Sequence, residues 1–235
     1  MTLTFGSHAE QVAAVPEATF HLPESLTDQQ GAAFPLNYLT AYAALVARGR
    51  LKAGETVLVL GAAGGVGTAA VQVAKGLGAR VIGVVSREER RATAEAAGAN
   101  EVVVGRGQWR DAIAALGGAD LVIDPVGGDA FAEALRCLRS QGRHVVVGFA
   151  AGAIPEVAVN RLLLRNTDVC GCSWSVLAGN AGGLSSAADA LGELVRCGAV
   201  APLIGEVYPL VEGPRALRDL ADGRVNGKAV LQVTP

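Results

Sequence analysis

Short apolar runs alternate with amphipathic helical patterns through the middle of the chain. Because these runs lack a polar face, they are typical of strands that are buried on both sides. The predicted strands are Thr56–Leu60, Arg80–Val85, Glu101–Val104, Asp120–Ile123, Arg143–Val147 and Asp168–Cys172. The predicted helices between them are Gly65–Gly76, Arg87–Ala97, Trp109–Leu116 and Ala130–Leu138. This alternation predicts an α/β fold with a doubly wound parallel sheet of the Rossmann type.

The pattern is less regular at the two ends of the chain. Thr27 and Gln30 have the spacing of a capping box, so a helix is predicted from this point, and Pro35 is expected to kink or split it. Short strands are predicted before this helix at Glu10–Val15 and Phe20–Leu22. The elements predicted after the sheet are a helix from Asn180 to Cys197, a strand at Gly205–Tyr208, a helix at Pro214–Ala221 and a strand at Ala229–Val233.

The composition narrows the classes of function. The net charge is −2 and no basic cluster occurs, so nucleic-acid binding has little electrostatic support. No apolar stretch reaches the ~18 residues of a membrane span, and the N-terminus lacks the pattern of a signal peptide. The four cysteines form no C-x-x-C pair, which is typical of reduced thiols in the cytoplasm. Cys170 and Cys172 share one strand face, but no nearby histidine or further cysteine completes a metal site, so no metal is expected.

A glycine-rich turn lies between the first predicted strand and the helix that follows it. It contains the motif Ala62-x-Gly64-x-x-Gly67, with alanine in the first glycine position. The amides of Gly64, Gly65, Val66 and Gly67, together with the positive end of the helix, are predicted to hold the pyrophosphate of a dinucleotide. The alternative is an ordinary tight turn, and the strand-turn-helix context favours the dinucleotide site.

The end of the second predicted strand indicates which dinucleotide is bound. An acidic residue there accepts the ribose hydroxyl of NAD, whereas a base favours the 2′-phosphate of NADP. This chain has Ser86 and Arg87 at that point, followed by Arg90, so NADP(H) is favoured. The alternative is that Ser86 and Glu89 form a helix capping box and that Arg90 is a solvated surface charge.

Five segments together resemble the zinc-independent NADPH:quinone oxidoreductases of the medium-chain dehydrogenase/reductase superfamily. The segments are Leu39–Tyr42, Gly54–Val59, Gly61–Gly67, Asp124–Gly128 and Gly227–Leu231. The resemblance implies that residues 1–26 are a remnant of a GroES-like β domain, most of which is missing. It further implies a dinucleotide-binding domain at residues 27–180 and a C-terminal segment, 181–235, that completes the cofactor cleft. No catalytic residue is assigned.

The resemblance also assigns cofactor contacts residue by residue. Thr40 is expected near the nicotinamide, Ser86 and Arg90 at the 2′-phosphate and Val126 along the ribose. The remaining expected contacts are Val147, Gly148 and Phe149 at the nicotinamide ribose, with Asn226 and Lys228 closing the cleft. One departure weakens the NADP preference, because Gly105 stands where the family often has a tyrosine.

The function implied by the resemblance is hydride transfer from NADPH to a quinone or an activated alkene (an enone). Tyr42 is the one proton-donor candidate, and its helical spacing favours packing instead. The sixth strand, Asp168–Trp174, is expected at the sheet edge, where relatives pair two subunits into a homodimer; an edge covered by the same chain is the alternative. Two further readings stay open, namely a non-catalytic dinucleotide-binding protein and a truncated fragment of such a reductase.

Overall fold

The chain folds around one six-stranded parallel sheet, in a computed structural model that describes residues 1–4, 6–173, 176 and 183–233. The strands are β1 (Thr56–Leu60), β2 (Arg80–Val85), β3 (Glu101–Val104), β4 (Ala119–Asp124), β5 (Leu138–Val146) and β6 (Asp168–Gly171). Their order is β3-β2-β1-β4-β5-β6, and each neighbouring pair is parallel. The predicted α/β doubly wound fold is therefore confirmed. The strand order reverses between β1 and β4, the position where such sheets bind ligands.

Helices cover both faces of this sheet. They are α1 (Asp28–Tyr42), α2 (Gly65–Gly76), α3 (Arg91–Ala96), α4 (Arg110–Ala115), α5 (Gly128–Cys137), α6 (Asn160–Leu163), α7 (Gly183–Arg196) and α8 (Gly213–Ala221). Alternate residues of β1 belong to different core clusters. Val57 and Val59 pack with α1, α2 and α7, whereas Leu58 and Leu60 pack with α4 and α5. This burial on both faces explains why β1 is apolar at nearly every position.

The predictions for elements near the glycine turn are correct to the residue for β1, α2, β2 and β3. Two other predictions need correction. β5 begins at Leu138 rather than Arg143, because its pairing with β4 extends back to Ala119 through a register shift. The helix predicted from Arg87 begins as a 3₁₀ turn at Glu88–Arg90, and no side chain caps it. The alternative capping box of Ser86 and Glu89 is therefore not formed.

The two strands predicted near the N-terminus are absent from the described residues. Glu10–Val15 and Phe20–Leu22 form no strands; the described residues here contain a 3₁₀ turn at Pro16–Ala18 and a single bridge between Thr2 and Thr19. The reason is that a strand depends on hydrogen bonds to a neighbouring strand, and no ladder reaches these segments within the described part of the chain. Apolar alternation alone does not supply that partner.

Pro35 does not split the first helix. α1 continues through it and leads into a π-helical turn at Ala43–Arg48. The capping box predicted at Thr27 and Gln30 is present, and the rings of Phe34 and Tyr38 stack with their centroids 4.6 Å apart. Tertiary packing therefore outweighs the single hydrogen bond that proline removes.

The C-terminal residues form a second, two-stranded sheet. Its strands, β7 (Ile204–Pro209) and β8 (Lys228–Gln232), are parallel and flank α8. The predicted start of the preceding helix at Asn180 lies outside the described residues, and α7 is described from Gly183. No helix in the described ranges is long and apolar enough to cross a bilayer.

Candidate functional site

A cleft of about 950 Å³ lies at the carboxyl ends of β1, β2, β4 and β5. Its position is the point where the strand order reverses, as expected for a ligand site in this fold. Eleven of the fourteen residues predicted from the sequence line it: Thr40, Gly64, Gly65, Val66, Gly67, Ser86, Arg90, Val126, Val147, Gly148 and Phe149. The remaining three, Arg87, Asn226 and Lys228, do not line it.

The glycine turn forms one end of this cleft. Gly61 has a φ of +60°, a conformation that glycine adopts without strain. The first described bond of α2 runs from the Thr68 amide to the Gly64 carbonyl, and the amides of Gly65, Val66 and Gly67 donate no hydrogen bond of standard geometry within the described residues. The Gly65 amide faces the Gly227 carbonyl in the bridge between Gly64 and Gly227. The Val66 and Gly67 amides, at the positive end of the helix, are open to an anion.

Gly67 is required for close packing between the turn and the helix. A Cβ atom at this position would lie 2.8 Å from the Gly61 carbonyl carbon and 2.9 Å from the Ala62 Cα, and closer still to the Gly61 oxygen. By contrast, a Cβ at Gly64 would meet only the Gly61 oxygen, at 3.4 Å. A side chain at Gly64 would therefore cause no clash, and Gly64 lines the cleft.

Positive charge concentrates at another end of the cleft. Arg90 and Arg106 both line it, and Arg87 lies beside them. Burial of the Arg90 guanidinium, and then the charges of Arg87 and Arg106, lower the pKa of Arg90 below its ordinary value. Its Nε is buried without a partner, and no carboxylate among the described residues forms an ion pair with any of the three arginines. Such an uncompensated cluster favours an anionic ligand.

Arg87 does not line the cleft, and its role in holding the cofactor stays a prediction. Its Nη2 donates to the Gly223 carbonyl at 2.7 Å, and the Nη2 of Arg90 donates to the same oxygen at 2.6 Å. Gly223 lies in the turn after α8, far along the chain. This long-range acceptor orients both guanidinium groups and could not be read from local spacing.

Two residues after β3 were missed by the sequence reasoning. Arg106 and Trp109 line the cleft next to Gly105, where the resemblance led us to expect a tyrosine. Trp109 is 2% exposed, and its indole N–H has no partner in the part of the chain that the structure describes. Gly105 itself adopts a φ of +153°, so the absence of a side chain there coincides with a turn that brings Arg106 and Trp109 to the site. In the sequence, these two residues were indicated by a basic and an aromatic side chain shortly after the third strand.

A buried carboxylate fixes the wall of the cleft at the end of β4. Asp124 is fully buried; its Oδ1 accepts the amides of Val126 and Gly127, both at 2.8 Å. Its Oδ2 lies 3.0 Å from Nε2 of His144, which is also fully buried on β5. The backbone oxygen of Asp124 accepts the amide of Val147 at 2.8 Å. One aspartate therefore holds two lining segments, the turn after β4 and the loop after β5, in one arrangement.

The C-terminal turn packs against the glycine turn from outside the cleft lining. The Gly227 amide donates to the Ala63 carbonyl at 2.8 Å, and Gly64 and Gly227 form a bridge. Asn226 and Lys228 flank this contact, which is why the sequence pattern associated them with the site. Burial lowers the pKa of the Lys228 ammonium. The expectation that Asn226 and Lys228 close the cleft stays a prediction, and the Gly227 backbone between them contacts the glycine turn.

The free edge of the sheet adjoins a smaller cavity of about 710 Å³. It shares Val147, Gly148 and Phe149 with the main cleft. The Arg48 Nε donates to the Gly171 carbonyl at 2.8 Å, which ties the π-helical turn to β6. The expected dimer edge Asp168–Trp174 is described as far as Ser173, and Trp174 lies outside the described residues. Within those residues, no group of three or more His, Cys, Asp or Glu side chains could hold a metal ion.

A parallel sheet whose strand order reverses beside a glycine turn and a helix N-terminus defines a dinucleotide-binding protein of the Rossmann class. Comparison with known proteins gives the family. The family model of zinc-binding dehydrogenases matches residues 65–182. The quinone oxidoreductase-like protein 2 of Bos taurus is 37% identical over 235 residues, which cover 97% of this chain and 67% of the relative.

Solved structures agree with this assignment. A probable oxidoreductase from Mycobacterium abscessus has a TM-score of 0.87 and 44% identity, covering 98% of this chain and 71% of that one. The quinone oxidoreductase from Thermus thermophilus, solved alone and with NADPH, has a TM-score of 0.86 and 38% identity over 96% of this chain and 73% of that one. The chain therefore belongs to the quinone oxidoreductase family of the medium-chain dehydrogenases and reductases. It spans between 47% and 67% of the length of four curated relatives.

Proposed function

We propose that this chain binds NADPH in the cleft and transfers its hydride to a quinone or an activated alkene, without zinc. The observation that supports this most strongly is that one cleft joins two sites for anions. The amides of Val66 and Gly67, which have no acceptor of standard geometry in the described residues, suit a pyrophosphate, and the cluster around Arg90 suits a 2′-phosphate. The Thermus thermophilus relative, solved with NADPH, supports the same ligand.

The residues present fit this cofactor in chemistry and in space. Glycine at position 64 leaves the backbone open to the pyrophosphate, and the volume of about 950 Å³ is in the range of ligand sites. The buried Nε of Arg90 has no hydrogen-bond partner among the described residues. NADPH supplies the hydride when it is bound. The chain supplies position and electrostatics, and this reaction requires no protein nucleophile.

The protein groups near the reacting end are mostly backbone and apolar side chains. Val126, Val147, Gly148 and Phe149 form the wall that Asp124 holds in place. They exclude water and orient a flat ring, which favours hydride transfer over side reactions. Thr40 adds a hydroxyl that has no described partner and that suits the polar group of a nicotinamide.

The resemblance to this family also suggests the compartment, the domain bounds and the oligomeric state. We place the protein in the cytoplasm and assign residues 27–180 to cofactor binding, with 181–235 completing the cleft. The edge strand β6, which has a neighbour on one side only within the described sheet, pairs with a second copy to give a homodimer. The zinc-free reaction rests on the resemblance to NADPH:quinone oxidoreductases. The alternative is a protein that binds the dinucleotide without turnover, since the chain spans only part of its relatives' length.

Titration calorimetry of the purified chain tests the cofactor assignment. NADPH is expected to bind roughly tenfold or more tightly than NADH, because the extra phosphate meets the guanidinium cluster of Arg90 and Arg106. High salt is expected to reduce this preference, since it screens charge. A chain that binds neither dinucleotide, or that binds both equally, contradicts the assignment.

A further inference from the structure

One polar side chain in the cleft has no role in the fold. Asn37 lies on α1, one turn before Thr40, and is only 5% exposed. It lines the cleft, yet neither its amide nitrogen nor its oxygen forms a hydrogen bond to any described residue. Both atoms retain some solvent exposure. Buried amides in folded proteins nearly always have a partner, so this one is expected to meet a ligand in the cleft.

Thr68 provides an internal comparison. It is a buried hydroxyl at the start of α2, and it donates to the carbonyl of Gly65 at 3.1 Å. Its polar group is therefore used within the helix. Asn37 has no such local acceptor, although carbonyls of its own helix are close by in sequence.

The position of Asn37 relative to α2 identifies the ligand group. A Cβ atom placed on Gly65 would lie 2.7 Å from the Nδ2 of Asn37 and 3.3 Å from its Cγ. The carboxamide therefore rests directly on the first residue of α2. This helix has 12 residues, and the amides of Val66 and Gly67 at its N-terminus are free of acceptors at standard geometry in the described chain. The side chain of Asn37 and these two backbone groups form one set of N–H donors.

We propose that the carboxamide of Asn37 is a further ligand of the phosphate group that binds at the N-terminus of α2. The inference rests on the proposed function, and it names the chemistry of one subsite, a diphosphate anion. Asn37 lies on α1 and the backbone donors lie on α2, so two elements would contribute N–H groups to this anion. A neutral amide suits this position because it donates hydrogen bonds without the desolvation cost of a buried ammonium group.

The test uses two fragments of the cofactor on the full chain. ADP-ribose contains the diphosphate, whereas adenosine 2′-monophosphate lacks it and reports on the Arg90 cluster. Asn37→Ala removes the donor and is expected to weaken ADP-ribose binding about tenfold. Asn37→Asp keeps the size and replaces the donor by a negative charge, so a larger loss is expected. Both variants should bind adenosine 2′-monophosphate within about twofold of the original chain.

Controls distinguish the loss of the Asn37 contact from unfolding and from a failure of the proposed function. Asn160→Asp makes the same change on the exposed helix α6, outside the cleft, and should leave both affinities unchanged. Thermal melting checks that each variant is folded. If the original chain binds ADP-ribose and both Asn37 variants bind it equally well, the inference is wrong while the proposed function stands. Equal losses for the two fragments would overturn the placement at the diphosphate. No binding of either fragment by the original chain would overturn both.

Discussion

Gly67→Ala is expected to remove dinucleotide binding and to destabilise the fold. The added methyl group would overlap the backbone of Gly61 and Ala62, which a side-chain rotation cannot relieve. Either the turn or the start of α2 must move, and both contain buried residues, among them Ala62 and Thr68. Overpacking of this kind costs about 1–3 kcal/mol, and more where backbone has to shift. Thermal or urea unfolding and titration with NADPH measure the two effects.

Two other glycines are matched controls for this prediction. Gly64→Ala should fold normally, because its nearest atom is at 3.4 Å, but should lose NADPH affinity because the methyl group faces the cleft. Gly192→Ala on α7 meets nothing within 4 Å and should change neither property. If Gly67→Ala keeps its stability, the packing argument is wrong. If Gly64→Ala keeps its NADPH affinity, the pyrophosphate does not bind at this turn.

Arg90→Ala is expected to weaken NADPH binding about tenfold to a hundredfold while NADH binding changes little. A charge-assisted hydrogen bond contributes about 1.5–3 kcal/mol, and only NADPH has the phosphate that makes it. The fold should tolerate the change, because Arg90 has a buried Nε without a partner and lies beside two like charges. Competition titrations with both dinucleotides give the two affinities.

The matched control for Arg90 is Arg161→Ala, which removes an exposed arginine of α6 outside the cleft. It should alter neither affinity. Equal losses for NADPH and NADH in Arg90→Ala would show that the guanidinium supports the site as a whole rather than the 2′-phosphate. Arg106→Ala should act in the same direction as Arg90→Ala, since both residues line the same part of the cleft.

The sequence was most informative where structure is local. The bounds of β1 and α2 depend on residues that are neighbours in the chain, and they were predicted correctly. By contrast, Arg87 was placed on the cofactor by its spacing from Gly67. Its acceptor is the carbonyl of Gly223, which lies 136 residues away, so no local argument could find it.

The residues that the sequence analysis missed at the site are also brought there by contacts between segments distant in the chain. Asn37 interrupts an apolar helix face, but only the packing of α1 on α2 shows that it rests on Gly65. Asp124 meets His144 across neighbouring strands, and the sequence indicated only the turn that follows Asp124. The failed strands before residue 26 show the opposite error, in which a local pattern was interpreted without a partner strand.

The most direct test of the account is turnover by the purified chain with NADPH and a simple quinone, followed by loss of nicotinamide absorbance. We expect NADPH oxidation that is proportional to protein concentration, that is slower with NADH, and that Gly64→Ala abolishes. An enone in place of the quinone tests the second substrate class. Tight NADPH binding without oxidation by any quinone or enone would contradict the proposed reaction and would identify the chain as a dinucleotide-binding protein without this activity.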